Sequence, residues 1–148
     1  SLALFQLKVI HNSFGRNSCK THRQHDEISL KDFPLPLVDA TGFGSQPQAA
    51  KDLRALINAH DALFIASPEY NAGYAPVLKN ALDWASIAPA GAPATGLAGK
   101  VVALGGASPG GFGGYRGLTM LRTTLELGFG ATLTPSMASV PGADKAFK

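Results

Sequence analysis

The chain has 148 residues, 45% of them hydrophobic and 16% charged, with a formal net charge of +3 and a pI near 9.2. That is apolar material for one globular core and too much for a disordered chain, and the scattered basic residues form no run suited to nucleic acid. No apolar stretch approaches the roughly 18 residues of a membrane span and no leader-like N-terminus is evident, so a soluble cytoplasmic protein without membrane or nucleic-acid partners is expected.

Leu2 to Ile10 reads either as a first strand or as a short helix, with strand preferred. His11 to Lys20 collects Gly15, Arg16, Lys20 and several hydroxyls and amides, the composition either of a loop holding a phosphate by backbone donors and a guanidinium or of an ordinary polar turn. Asn12 and Glu27 are separated by 14 residues, little more than the dozen or so of a parallel crossover, and Cys19 to Asp26 has no apolar stripe to lay on a sheet. The first βαβ unit is therefore expected to be irregular. Cys19 is the sole cysteine, which excludes an internal disulfide; His22 and His25 lack a third partner for a metal. Glu27 to Leu30 is a brief strand candidate, and Lys31 to Val38 puts two prolines in an extended apolar segment, an edge or a loop packed on the core. After the glycine-containing loop from Ala40 to Pro47, the spacing of Ala50, Leu53, Leu56 and Ile57 predicts a helix over Pro47 to Ala59.

Ala62 to Ala66 is an apolar run suited to a strand buried in a parallel sheet. Ser67 to Gly73 then forms a loop, and Pro76 opens a helix over Ala75 to Ser86, with Val77, Leu78, Ala81, Leu82, Trp84 and Ala85 inward and Lys79, Asn80 and Asp83 outward. Strand, loop and helix opening make half a βαβ unit, and ligands of open α/β sheets sit at the carboxyl ends of such strands. The loop is thus the candidate site. Ser67 to Trp84, Ser-Pro-Glu-Tyr-Asn-x-Gly-x-x-Pro-Val-Leu-Lys-Asn-Ala-Leu-Asp-Trp, resembles the signature of the NADPH-dependent FMN reductase family, a flavodoxin-like group that includes quinone, azo-dye and chromate reductases. Upstream, Ser13, Arg16 and Ser18 faintly echo that family's FMN phosphate loop, and the Asp-Phe-Pro-Leu-Pro segment is similar to one in the family.

Ile87 to Leu97 is broken by Pro89, Gly91, Pro93 and Gly96 and reads as a surface loop beside the site. Lys100 to Gly105 is the next buried strand, followed by the glycine-rich run Gly105 to Gly114 and a helix over Tyr115 to Leu127 with Leu118, Leu121, Leu125 and Met120 inward. Ser-Pro-Gly-Gly-x-Gly-Gly after a strand also matches the family's third flavin loop. Ala131 to Val140 is a last strand that Pro135 marks as an edge or a bulge. The resembled proteins continue with a further helix; its absence here predicts exposed apolar surface.

These readings give one flavodoxin-like flavin-binding domain over residues 1–148, an α/β three-layer fold with a mostly parallel five-stranded sheet, divergent over 1–26 and lacking the last helix. The resemblance implies an FMN-dependent NAD(P)H oxidoreductase, with NADPH or NADH as co-substrate, reducing free flavin, quinones or similar small acceptors, and assembled as a homodimer or homotetramer through the helix carrying Trp84. The alternatives are a flavin-binding electron carrier without NAD(P)H activity and a non-enzymatic flavodoxin-like domain. No side chain is expected to be catalytic, because the flavin carries the chemistry and the protein mainly holds and tunes it. The residues expected to hold it are Pro68, Glu69, Tyr70, Asn71 and Gly73 in the first loop, Ser108, Gly110, Gly111 and Gly113 in the second, and Ser13, Arg16 and Ser18 at the phosphate end. Donors of the loop from Ser108 to Gly114, at the start of a helix, would favour the negative charge of the reduced ring. Tyr70 and Tyr74 are expected to stack on or wall the ring, with Tyr74 alternatively capping the rim of the pocket. Glu69 is read as structural or as a subunit contact, Trp84 as core or interface, and Arg116 either as a ligand of a nicotinamide-nucleotide phosphate or as a solvated helix residue.

Overall fold

The computed structural model describes residues 6–12, 23–39, 44–88 and 96–146. Its elements run β1 Gln6–Asn12, β2 Arg23–Ile28, α1 Gln48–Asn58, β3 Ala62–Ala66, the short strands β4 Glu69–Tyr70 and β5 Gly73–Tyr74, α2 Pro76–Ser86, β6 Val101–Ser108, α3 Tyr115–Thr123, β7 Thr132–Pro141 and a helical turn α4 Ala143–Ala146. Five strands form one sheet in the order β2, β1, β3, β6, β7. β3, β6 and β7 are parallel, with Leu63 opposite Val102 and Val102 opposite Leu133. β1 runs antiparallel to both its neighbours, Leu7 facing Ile28 on one side and Ile65 on the other.

Four strands therefore point one way and β1 points against them, which is the form the atypical first unit takes. Instead of crossing over to a parallel partner, β1 lies beside β2 with Asn12 opposite Arg23. The brief strand expected at Glu27 to Leu30 is Arg23–Ile28, and Leu30 instead opens a 3-10 turn capped by the Ser29 hydroxyl, which accepts from the Lys31 amide at 3.3 Å. Apolar periodicity could not reveal β2. It is an edge strand of sequence RQHDEI, and charged side chains on an edge discourage pairing with other chains.

Leu63 and Ile65 of β3, Val102 and Leu104 of β6 and Leu133 of β7 form one core with Leu53 and Ile57 of α1, Leu78, Ala81, Leu82 and Ala85 of α2, and Leu118 and Leu121 of α3. Since strand side chains alternate between faces, α1, α2 and α3 bury the same face of the sheet, and Phe64, Ala66 and Ala103 point to the other, where they are half-buried. Arg54 of α1 is also buried; its guanidinium donates to the Ala85 carbonyl at 3.0 Å, where the helix dipole of α2 favours a cation.

Pro76 stands at the first position of α2, as expected. Two outward and inward assignments change. Val77 is exposed because Leu78, not Val77, takes the sheet-facing position. Asn80 is engaged with the proline-rich segment: its amide donates to the Pro36 carbonyl at 2.9 Å and its carbonyl oxygen accepts from the Val38 amide at 2.8 Å. Trp84, one turn along, donates its indole N–H to the same Pro36 carbonyl at 2.6 Å. On α3, Leu118, Leu121 and Leu125 are buried as predicted, whereas Met120 is exposed, about 200° around the helix from Leu118. A π-helical turn, Thr124–Gly128, ends the helix.

Pro135 marks both an edge and a bulge: Val102 faces Leu133 but Leu104 faces Met137, so the chain around Pro135 bows out and Arg122 donates to the freed Thr134 carbonyl at 2.9 Å. After β7, Gly142 turns with φ of 59° into α4, a single helical turn. Among the described residues no helix is long and apolar enough to cross a membrane.

Candidate functional site

Two loops leave the carboxyl tips of β3 and β6, adjacent parallel strands in which Ala66 faces Gly105. The Ser67 amide donates to the Gly105 carbonyl at 3.0 Å, so the loops share a root. The first is a tight hairpin: Glu69 pairs with Tyr74 and Tyr70 with Gly73, and the turn residues Asn71 and Ala72 have φ of 49° and 66°. Left-handed backbone at both central positions belongs to the turn that matches strand twist. Asn tolerates it; Ala72 is strained there, and an alanine where glycine is usual hides the hairpin from a sequence reading. The base is fastened by Ser67, 3% exposed, whose hydroxyl donates to the Pro68 carbonyl at 2.9 Å and accepts from the Ala75 amide at 3.2 Å. Ala75 is fully buried and caps α2 without a side-chain acceptor of its own, so the Ser67 hydroxyl meets an amide that water cannot reach.

The second loop closes on itself and on β7. The Gly110 amide donates to the Ser108 hydroxyl at 3.2 Å and the Gly113 amide to the Gly110 carbonyl at 3.3 Å. The Ser139 hydroxyl of β7 lies 3.0 Å from the Phe112 carbonyl and 3.2 Å from that of Gly113, within donating distance of both. Gly113 has φ of +57°, and a Cβ on it would stand 2.6 Å from the Pro141 nitrogen. Its glycine is thus required by the approach of β7. Gly110 and Gly111 are exposed, and a Cβ at Gly111 would meet nothing within 4 Å. Among the described residues the amides of Gly111 and Phe112 have no acceptor. Open amides beside bare glycines fit the polar edge of a planar ring, to which the backbone must come close.

The Glu69 side chain joins the loops. It is 7% exposed, and its Oε2 accepts from the amides of Arg116 at 3.1 Å and Gly117 at 3.2 Å while Oε1 accepts from Arg116 Nε at 2.8 Å and from Nη2. α3 begins at Gly114, with φ of 87° and no side chain to cap it, so the carboxylate from the other loop serves as its cap. Arg116 is further held over the Phe112 ring, 4.5 Å from its centroid. α3 packs so close that a Cβ on Gly117 would stand 2.9 Å from the Gly73 carbonyl oxygen.

The hydrogen bond from the Arg116 guanidinium, with those from the two amides, holds the Glu69 carboxyl below its ordinary value of 4.5, against the opposing effect of burial. A depressed folded value means the clamp is intact above the unfolded value and is lost as pH falls through the folded one. The gap in thermal midpoint between the wild type and Glu69→Gln is therefore expected to be constant above about pH 5 and to shrink on acidification below it. A gap unchanged by acid would contradict an ionised Glu69.

The structure thus roots the loop of Pro68, Glu69, Tyr70, Asn71 and Gly73 beside that of Ser108, Gly110, Gly111 and Gly113, at the tips of adjacent strands. Ser13, Arg16 and Ser18, with Cys19 and His22, lie outside the described residues. Tyr74 is committed elsewhere, its hydroxyl donating to Thr124 at 3.2 Å and its ring packed on the core, while Tyr70 is 50% exposed at the hairpin tip. The amides of Arg116 and Gly117, in the first turn of α3, are taken by Glu69. Gly117 and Ser139 escaped the sequence reading because each meets a partner distant in the chain, and Ser67 because its hydroxyl fastens the backbone at the base of the loop.

A family model described as NADPH-dependent FMN reductase matches residues 7–145. The chain is 48% identical over 88 residues to an NAD(P)H-dependent FMN reductase of Pseudomonas aeruginosa, covering 60% of this chain and 44% of that protein. It is 40% identical over 102 residues to an NADPH:quinone oxidoreductase of Arabidopsis thaliana, covering 67% of this chain and 47% of that protein. Among solved structures, the flavoenzyme NAD(P)H:(acceptor) oxidoreductase FerB of Paracoccus denitrificans is similar with a TM-score of 0.62 and 30% identity, over 70% of this chain and 56% of that one. The chain spans about half the length of these curated relatives.

Proposed function

Because the chain belongs to the NADPH-dependent FMN reductase family, we propose that it is an FMN-dependent NAD(P)H oxidoreductase acting on free flavin, a quinone or a similar small acceptor. The reading is carried by one observation: the hairpin and the glycine loop spring from neighbouring strand tips and are locked together, with the Gly111 and Phe112 amides open. FMN bound there supplies hydride exchange at N5, from NAD(P)H inward and to the acceptor outward. The chain's own part is to position and to tune. Pro68 to Gly73 wall one side, Ser108 to Gly113 present amides on the other, and Ser13, Arg16 and Ser18 are assigned to the phosphate. The same reading includes one domain, a homodimer or homotetramer, and a cytoplasmic location.

The test is a visible spectrum of the purified protein together with thermal unfolding at increasing FMN. A ligand that binds only the native state stabilises it by about 2.7 kcal/mol at a hundredfold excess over Kd, so the midpoint should climb steadily with FMN. Absence of both flavin absorbance and any such climb would refute the reading. A flavin-binding electron carrier is the second reading, favoured by the commitment of Arg116 to Glu69, which takes a cation from any nucleotide phosphate. NADPH oxidation in the presence of a quinone separates the two.

A further inference from the structure

A helix that needs only a cap is served most simply by a Ser, Thr, Asp or Asn just before its first turn. α3 has Gly114 there and instead imports a carboxylate from 47 residues away. Placing a charge at a buried position is costly unless it is paired and fully hydrogen-bonded, and Glu69 is both. What the distant cap adds over a local one is a fixed distance between the loops. It also adds a charge balance: the guanidinium of Arg116 and the positive end of α3 face one carboxylate, and Arg116 carries that balance onto Phe112, inside the glycine loop.

We infer that Glu69 is a positioning residue which, through Arg116, fixes the two loops to each other and sets the electrostatic potential felt by a redox ring bound beside them. The inference rests on the flavin reading above. Reduction adds negative charge to the ring, and an uncompensated neighbouring charge must shift the midpoint by its sign. Glu69→Gln leaves Arg116 uncompensated and favours the reduced form. Arg116→Gln leaves the Glu69 carboxylate uncompensated and favours the oxidised form. A clamp whose only role is mechanical would loosen the loops in both variants and move the midpoint the same way in both.

The experiment measures the midpoint potential of FMN bound to the wild type, Glu69→Gln, Arg116→Gln and the double variant, with thermal unfolding of each protein stripped of flavin. The expected result is a rise for Glu69→Gln, a fall for Arg116→Gln, and a return toward the wild-type value in the double variant, with both single variants less stable than wild type when flavin-free. Shifts of one sign, or none, would overturn the inference while leaving the flavin reading intact. Failure of the wild type itself to bind FMN would remove the flavin reading, and this inference with it.

Discussion

Gly113→Ala is expected to destabilise the flavin-free protein by about 2–5 kcal/mol, the sum of roughly 1–2 for a left-handed backbone carrying a Cβ and roughly 1–3 for overpacking. Two independent facts set that scale. The φ of +57° is unfavourable for any L side chain, and the new Cβ would stand 2.6 Å from the Pro141 nitrogen and 2.7 Å from the Val140 carbonyl carbon, backbone atoms that cannot swing aside. Relief requires the loop to lift from β7, which breaks the contact of Ser139 with the Phe112 and Gly113 carbonyls and moves the open amides. Gly111→Ala is the matched control, since its Cβ would enter open space. It should leave urea unfolding near wild type and instead weaken FMN binding, because on the proposed reading that open space is where the ring lies. Urea titration of both flavin-free variants, with FMN titration of Gly111→Ala, decides the matter. Equal stability of Gly113→Ala and wild type would mean that the loop is not fastened to β7 as described.

The legible parts of this chain are those whose signals are local. β3 and β6 announce themselves as apolar runs ending in Ser-Pro or glycine, and Pro76 marks the start of α2 to the residue. Pro135 betrays its bulge because a missing amide donor must be accommodated in any sheet. The illegible parts depend on partners far along the chain. The direction of β1 against β3 follows from pairing alone, and β2, polar but for Ile28 at its end, offers no apolar alternation. The family resemblance implies a structural or subunit-contact role for Glu69, but its partner is 47 residues on and nothing in either segment names the other. Met120 and Val77 fail for a simpler reason: each neighbours a leucine that takes the inward position, and about 100° around the helix from it each lies at the solvent side of the buried stripe.

Trp84→Ala should cost about 3–5 kcal/mol, the usual range for emptying a large buried aromatic site. The indole is 2% exposed, and its N–H reaches the Pro36 carbonyl at 2.6 Å, so its removal both opens a cavity and loosens the segment from Pro34 to Val38 along α2. Trp84→Phe separates the two effects. Most of the ring volume remains, and the Pro36 carbonyl keeps its second donor, Asn80, at 2.9 Å, so no acceptor is orphaned and the hydrogen-bond loss is about 0.5–1.5 kcal/mol. The family resemblance would assign this helix to a subunit contact, and that alternative predicts a different dependence. A residue stabilising an interface loses its effect as protein is diluted, since association is a mass-action contribution to stability. A residue buried within one chain does not. Urea unfolding of wild type and Trp84→Ala at protein concentrations about a hundredfold apart should therefore give the same difference at both, and a difference that fades on dilution would move Trp84 from the core of the subunit to its surface.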